Sequence, residues 1–188
     1  MVSNRKELVL EAAQGLFLRY GVKRTSMGDI AREAGISRQT LYNTFPNKEA
    51  VLGAMIAQLA DKVVVDIEAG LEKAADLGQK LDVFAKHIAI VHYDFLQSSP
   101  NAEDIIAGVT ESAQKELAAG AKRNTKIICR VLEPYSDAIE RNELTVPQVA
   151  DFIQRSATTA KYDAKSRKHL LELLDVLRMS VLKLSGVA

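Results

Sequence analysis

Between Thr25 and Glu49 the chain reads TSMGDIAREAGISRQTLYNTFPNKE, and this stretch leaves little freedom in what it can fold into. Ser26 precedes the apolar positions Met27, Ile30, Ala31 and Ala34, and Asp29 follows it at the spacing of a capping box. In that arrangement a hydroxyl and an acidic group satisfy the free N–H donors of a helix start. Gly35 comes just after the last periodic residue, where a sharp turn needs a positive φ. Ser37 is placed to cap a second helix, which runs to Phe45 and is stopped by Pro46. Two short helices around a glycine turn make a helix-turn-helix unit.

The faces of the second helix indicate its use. At about 100° per residue, Leu41 and Phe45 share one side, with Ile36 in the turn joining them as core. The opposite side carries Gln39 and Asn43 at its centre and Arg38, Thr40 and Tyr42 on its flanks. None of these is acidic, whereas an ordinary solvated face mixes in Glu and Asp. Arg suits guanine O6/N7, Gln and Asn suit adenine N6/N7, and hydroxyls suit phosphates or base edges. The pattern is that of a helix that reads a DNA groove.

The run Thr25–Ser26–Met27, Asp29–Ile30–Ala31, Ala34–Gly35–Ile36–Ser37, Thr40–Leu41–Tyr42, Phe45–Pro46 and Asn47–Lys48–Glu49 resembles the N-terminal signature of TetR/AcrR-type transcriptional repressors. The match covers roughly residues 5–55 and is far denser than a lone short motif. The resemblance implies an all-α fold of about nine helices. Three form a DNA-binding head, a long fourth leads into a variable ligand-binding domain, and the last two make a homodimer. It implies that Arg38, Gln39, Thr40, Tyr42 and Asn43 face the groove of a double-stranded operator, and that Thr25 and Lys48 hold phosphates. On this reading residues 1–48 are the DNA-binding domain and 49–188 the effector-binding and dimerisation domain. No effector identity comes with the resemblance.

The rest of the chain reads as helices. Val9, Ala12, Ala13, Leu16, Phe17 and Tyr20 give a first helix over about 4–20, ending at Gly21. Asn47 is placed to cap a long helix from Lys48 into the 70s, before a break at Gly78. A stripe of Leu81, Phe84, Ile88, Val91 and Phe95 marks the next, stopping at Ser98–Ser99–Pro100. Further helices are expected over about 101–119, breaking near Gly120, and over about 121–141, where Pro134 kinks it or delays its start. Pro147 sits just inside another start, for a helix through about Tyr162. The last is expected from near Ser166 to about Leu184.

Leu170, Leu174, Leu177, Val181 and Leu184 repeat at three- and four-residue steps on that last helix, and Leu171, Leu173 and Leu182 widen the apolar arc. The preceding helix offers Ser156, Ala157 and Ala160 for close approach. A terminal helix this broadly apolar needs cover on two sides. A homodimer seam through Ser156, Ala160, Leu170, Leu174, Leu177 and Val181 supplies it, and two recognition helices must in any case reach successive grooves. An intrachain core is the competing account of the same stripe.

Within the middle helices, His87, His92, Asn124, Tyr135 and Thr159 are the polar groups expected to meet an effector. They sit among Ile, Val, Phe and Leu, so the expected effector is a small hydrophobic molecule. The same groups are equally expected as satisfied core residues.

Enzyme chemistry is not expected. His87 and His92 are five apart, roughly 140° on an α-helix, whereas a helical metal pair uses the four-residue step. No nucleophile elbow, phosphate loop or dinucleotide fingerprint occurs. The single cysteine, Cys129, excludes an intrachain disulfide and a multi-cysteine zinc site, and no cofactor or metal is expected. Residues 1–50 hold eight Lys/Arg against five Asp/Glu, and 51–188 hold seventeen against nineteen, so a basic head sits on a near-neutral body. Arg5, Lys6, Glu7 and Glu11 interrupt any apolar run of a secretory signal, and no apolar stretch approaches the roughly 18 residues of a membrane span. The expected setting is cytoplasmic, without a membrane partner.

The reading is therefore a DNA-binding repressor that releases a palindromic operator when a small hydrophobic ligand binds. Two other classes remain. One is a DNA-binding protein of this fold governed by a protein partner, for which a collapsed effector core would speak. The other is a small helical enzyme with its site in residues 80–165, for which turnover without DNA binding would speak.

Overall fold

The computed structural model describes residues 2–98, 101 and 111–187, with side chains from residue 5 onward and excepting that of residue 112. Every regular element among the described residues is helical, as expected. The helices are α1 (Val2–Tyr20), α2 (Met27–Glu33), α3 (Arg38–Thr44), α4 (Lys48–Leu71), α5 (Leu77–Ala85), α6 (Val91–Ser98), α7 (Glu111–Leu132), α8 (Ser136–Glu140), α9 (Val146–Asp163) and α10 (Arg167–Leu184). The chain forms two compact units: Met1–Asp61 with Leu96–Ala119, and Lys62–Phe95 with Gly120–Ala188.

In the first unit, short-range chemistry sets the helix ends. The Ser26 side chain accepts from the Asp29 backbone N–H, and the Asp29 carboxylate accepts from the Ser26 N–H, which completes the capping box. Gly35 adopts φ +66°, a conformation that L side chains rarely take, and turns the chain between α2 and α3. Ser37 caps α3 through the Thr40 N–H. Asn47 caps α4 through the Ala50 N–H at 2.8 Å. Helices of seven residues are too short to hold themselves in water, so α2 and α3 depend on burial. Phe17, Ile30, Leu41, Val51 and Leu52 supply it, and Ala113 of α7 joins the same core.

The second unit packs around Ile67, Leu77, Phe84, Ile128, Leu132, Ile139 and Leu170. Here several expected boundaries move. α4 ends at Leu71, within the expected range, but Gly78 lies inside α5 because Asp76 starts that helix by capping the Gln79 N–H. Gly120 does not break the chain: α7 runs through it to Leu132. One glycine costs a helix about 1 kcal/mol against Ala, too little to stop a helix of 22 residues. The part of the expected 101–119 helix that precedes Glu111 lies outside the described residues, Asn101 apart. Pro134 falls in a single 3₁₀ turn, Glu133–Tyr135, that separates α7 from α8. A second capping box, Thr145 with Gln148, opens α9, and Ser166 caps α10.

One feature left no mark on the expected pattern. Between α5 and α6 the helix widens into a π-turn, Lys86–Ile90, closed by the Val91 N–H donating to the Lys86 carbonyl. Residues five apart then lie nearly one above the other, so the separation of roughly 140° expected for His87 and His92 does not hold at this point.

Candidate nucleic-acid interface

α3 is divided as its sequence requires. Leu41 and Phe45 are 0% and 5% exposed and anchor the helix to the first unit's core. Arg38, Gln39, Tyr42 and Asn43 are exposed and Thr40 is half-buried, so the outward face is the polar one. Gln39 Nε2 donates to Asn43 Oδ1 at 3.0 Å. That bond fixes both amides and leaves the Gln39 oxygen and the Asn43 amide hydrogens directed to other partners. The Thr40 hydroxyl is 2.8 Å from that of Ser37 at the helix start. Arg38 lies back against α2: a Cβ on Gly28 would fall 2.6 Å from its guanidinium, so the glycine makes room for it.

Thr25 and Lys48 occupy the corner between α1 and α4. Thr25 is 3% exposed, and its hydroxyl donates to the Gly21 carbonyl at 2.8 Å. The Lys48 ammonium donates to the carbonyls of Val22 at 2.6 Å and Thr25 at 2.8 Å. A cation is well placed at the C-terminal end of α1, where the helix dipole is negative. This bracing role was not foreseen, because it depends on residues 23 and more positions apart coming together. On the far side of the corner, a polar hollow of about 400 Å³ is lined by Arg19, Arg24, Thr25, Asp29, Arg32 and Glu33, among others. Arg19 pairs with Glu33 and Arg32 with Asp29, so two of its three guanidiniums are already neutralised.

On α9 and α10 the apolar arc divides in a way the spacing did not give. Leu170 and Val181 are 0% exposed in the single chain, and Leu174 is 5%. Leu170 and Val181 therefore belong to the chain's own core and have no surface to offer a second subunit. A groove of about 470 Å³ between the helices is lined by Ser156, Thr159, Ala160, Leu174 and Leu177, and also by Phe152, Leu173 and Val176. Phe152 is 51% exposed and Val176 66%. The unburied apolar stripe thus runs one face further round than the expected seam.

The groups expected around an effector are dispersed. Asn124 is 7% exposed, with its Oδ1 lacking a hydrogen-bond partner. His92 is largely buried, its Nδ1 likewise without a partner, and burial with the nearby Lys161 charge pulls its pKa down to about 4. His87 is half-buried and also shifted down, chiefly by burial. Tyr135 packs at the edge of the second unit's core. Thr159 is exposed in the α9–α10 groove and does not join the others. No group of three or more His, Cys, Asp or Glu able to hold a metal occurs among the described residues. Nor is any described helix long and apolar enough to cross a membrane.

Residues 9–55 match the family model for bacterial regulatory proteins of the tetR family. The HTH-type transcriptional regulator AlkX of Mycobacterium tuberculosis is 34% identical over 79 residues, which is 42% of this chain and 36% of that protein. The HTH-type transcriptional regulator EthR of Mycolicibacterium smegmatis is 33% identical over 129 residues, 63% of this chain and 58% of EthR. The chain thus spans less than two-thirds of the length of these curated relatives. Among solved structures, the transcriptional regulator FadR from Bacillus subtilis, in complex with stearoyl-CoA, superposes with a TM-score of 0.63 at 18% identity, covering 97% of this chain and 99% of FadR. At that identity the likeness is one of fold.

Proposed function

The chain belongs to the TetR/AcrR family of helix-turn-helix regulators, and from that premise we propose that it is a transcriptional repressor that binds a palindromic operator as a homodimer and releases it on binding a small effector. The observation that carries the reading is the outward face of α3, four exposed hydrogen-bonding side chains without an acid, on a helix pinned by Leu41 and Phe45. Arg38, Gln39, Tyr42 and Asn43 then read base edges in the major groove, with Thr40 beside them at the helix start. Thr25 and Lys48 serve the phosphate backbone by holding the α1–α4 corner in shape.

The exposed Phe152, Leu173 and Val176 support a dimer across α9 and α10. A dimer sets two α3 helices against half-sites about 34 Å apart. The effector acts by population shift, favouring a state whose spacing no longer fits the operator. α4 is the coupling element, since residues 48–61 belong to the first unit and 62–71 to the second. Because FadR of B. subtilis is described with stearoyl-CoA, that thioester is a rational first probe of the effector class.

Selection of operator sequences from a random duplex pool, followed by fluorescence anisotropy, tests the reading. A palindromic consensus, bound by a dimer far more tightly than scrambled DNA, is expected. Enrichment of no sequence at all refutes it.

A further inference from the structure

Thr25 and Lys48, which the family resemblance sets against DNA phosphates, are both engaged inside the chain. The Thr25 hydroxyl donates to the Gly21 carbonyl, and the Lys48 ammonium to the carbonyls of Val22, Thr25 and, at 3.5 Å, Lys23. The capping box takes up the Ser26 and Asp29 N–H donors at the start of α2. With these groups committed, the corner attracts a phosphate only through some other cation.

Arg24 is that cation. It directly precedes Thr25, is exposed, and lines the polar hollow of about 400 Å³. Within the hollow Arg19 pairs with Glu33 and Arg32 with Asp29. The Arg24 guanidinium makes no hydrogen bond or ion pair to any described residue. Three arginines against two acids leave the lining with one net positive charge, and Arg24 carries it.

Its place in the chain sets it beside the groove. Gly28 lies in the first turn of α2, and a Cβ there would meet the Arg38 guanidinium of α3 at 2.6 Å. Four residues on from Arg24, Gly28 is separated from it by at most about 14 Å of chain. A major groove is about 12 Å wide, so a helix seated in it has the phosphates of the bordering strands within that distance. A guanidinium presents a planar fork of donors that matches two phosphate oxygens.

We infer that Arg24 is a DNA-backbone contact, its guanidinium pairing with a phosphodiester of a strand that borders the groove read by α3. This rests on the assignment of α3 as the reading helix and adds the charge that holds its register along the duplex.

Arg24→Gln removes the charge and costs the chain no internal partner, so its melting temperature should match wild type. Anisotropy titrations with the selected operator and a scrambled duplex, at a series of sodium chloride concentrations, read the contact. Each lost phosphate contact lowers the slope of log K against log salt by about 0.9, and a dimer loses two. Between about 50 and 200 mM salt, wild type should therefore lose roughly twelvefold more affinity than the variant. Both duplexes should weaken alike, because a phosphate carries no sequence. Arg24→Lys, which keeps the charge and gives up the fork, should keep the wild-type slope. Sodium phosphate at matched ionic strength should displace the operator no more than chloride does. An Arg24→Gln slope equal to wild type, a loss confined to one operator position, or selective displacement by inorganic phosphate would each overturn the Arg24 contact and leave operator reading by α3 standing. A wild-type protein that binds neither duplex would overturn both.

Discussion

Replacing Lys48 by Met keeps the length of the side chain and deletes only the ammonium that spans the α1–α4 corner. Two short hydrogen bonds are lost, to the carbonyls of Val22 at 2.6 Å and Thr25 at 2.8 Å, together with a long one to Lys23 at 3.5 Å, while the Val22 carbonyl keeps the Thr25 N–H. A charged donor contributes about 1.5–3 kcal/mol per bond when buried. Lys48 is only half-buried, and water replaces part of what is removed, so the pair together is taken as about 2 kcal/mol. For a chain of 188 residues unfolding in one step, the unfolding entropy near 60 °C is about 0.4 kcal/mol per degree. The melting temperature should then fall by about 5 °C, and by more if the first unit melts separately. Operator affinity should fall on every sequence, because the corner that positions α2 and α3 loosens. The salt dependence discriminates the mechanism: bracing leaves the slope of log K against log salt unchanged, whereas a direct phosphate contact lowers it by about 0.9. Calorimetry and anisotropy at several salt concentrations give both quantities. A Lys48→Met protein that melts within a degree of wild type would refute the bracing argument.

On the recognition helix, Gln39→Ala should relax base preference at one operator position by about 1–3 kcal/mol, measured by titrating matched and mismatched operators; uniform loss across sequences would assign it to the backbone instead. Val176→Glu with Leu173→Glu should give a folded monomer by light scattering, since both side chains are exposed in the protomer, and an unchanged dimer mass would place the seam elsewhere. His92 titrates near 4 when folded and about 6.5 when unfolded, so its contribution to stability is complete above pH 6.5 and is lost as the pH falls towards 4, by about 3 kcal/mol. His92→Gln should therefore flatten the urea midpoint over that window. Lys161 titrates near 8 when folded against 10.5, so the fold carries its full penalty below pH 8 and sheds it as the pH rises to about 10.5. Lys161→Met should accordingly be more stable than wild type at pH 7, by about 2–3 kcal/mol, with the advantage vanishing near pH 10.5.

What was legible in the sequence is local. Ser26 with Asp29, Gly35, Ser37 and Asn47 each act within a few residues, and the structure finds each performing the expected cap or turn. The division of α3 into an anchored and an outward face is also local, because helical periodicity over seven residues settles it. Gly120 misled because a glycine's small penalty yields to the packing of a long helix, and Gly78 because the Asp76 cap starts α5 just ahead of it. The π-turn was hidden since one extra residue in a helical turn leaves the composition unchanged. The stripe of Leu170, Leu174 and Val181 showed that α10 buries one face, but an apolar residue does not state whether its cover comes from the same chain. Lys48 depends on contacts with residues 22–25 that only the tertiary fold supplies.

The core of the first unit takes Val51, Leu52, Met55 and Ile56 from α4 and Ala113 from α7, so the reading helix does not come as a contiguous cassette. A chimaera that joins residues 1–48 to a foreign sensor would sever that core and expose Phe17 and Leu41. A productive exchange has to carry residues 1–61 together with 96–119, two crossovers beyond the first. In lineages where sensors and reading heads are reshuffled, a head built this way is inherited with pieces of the partner it came with.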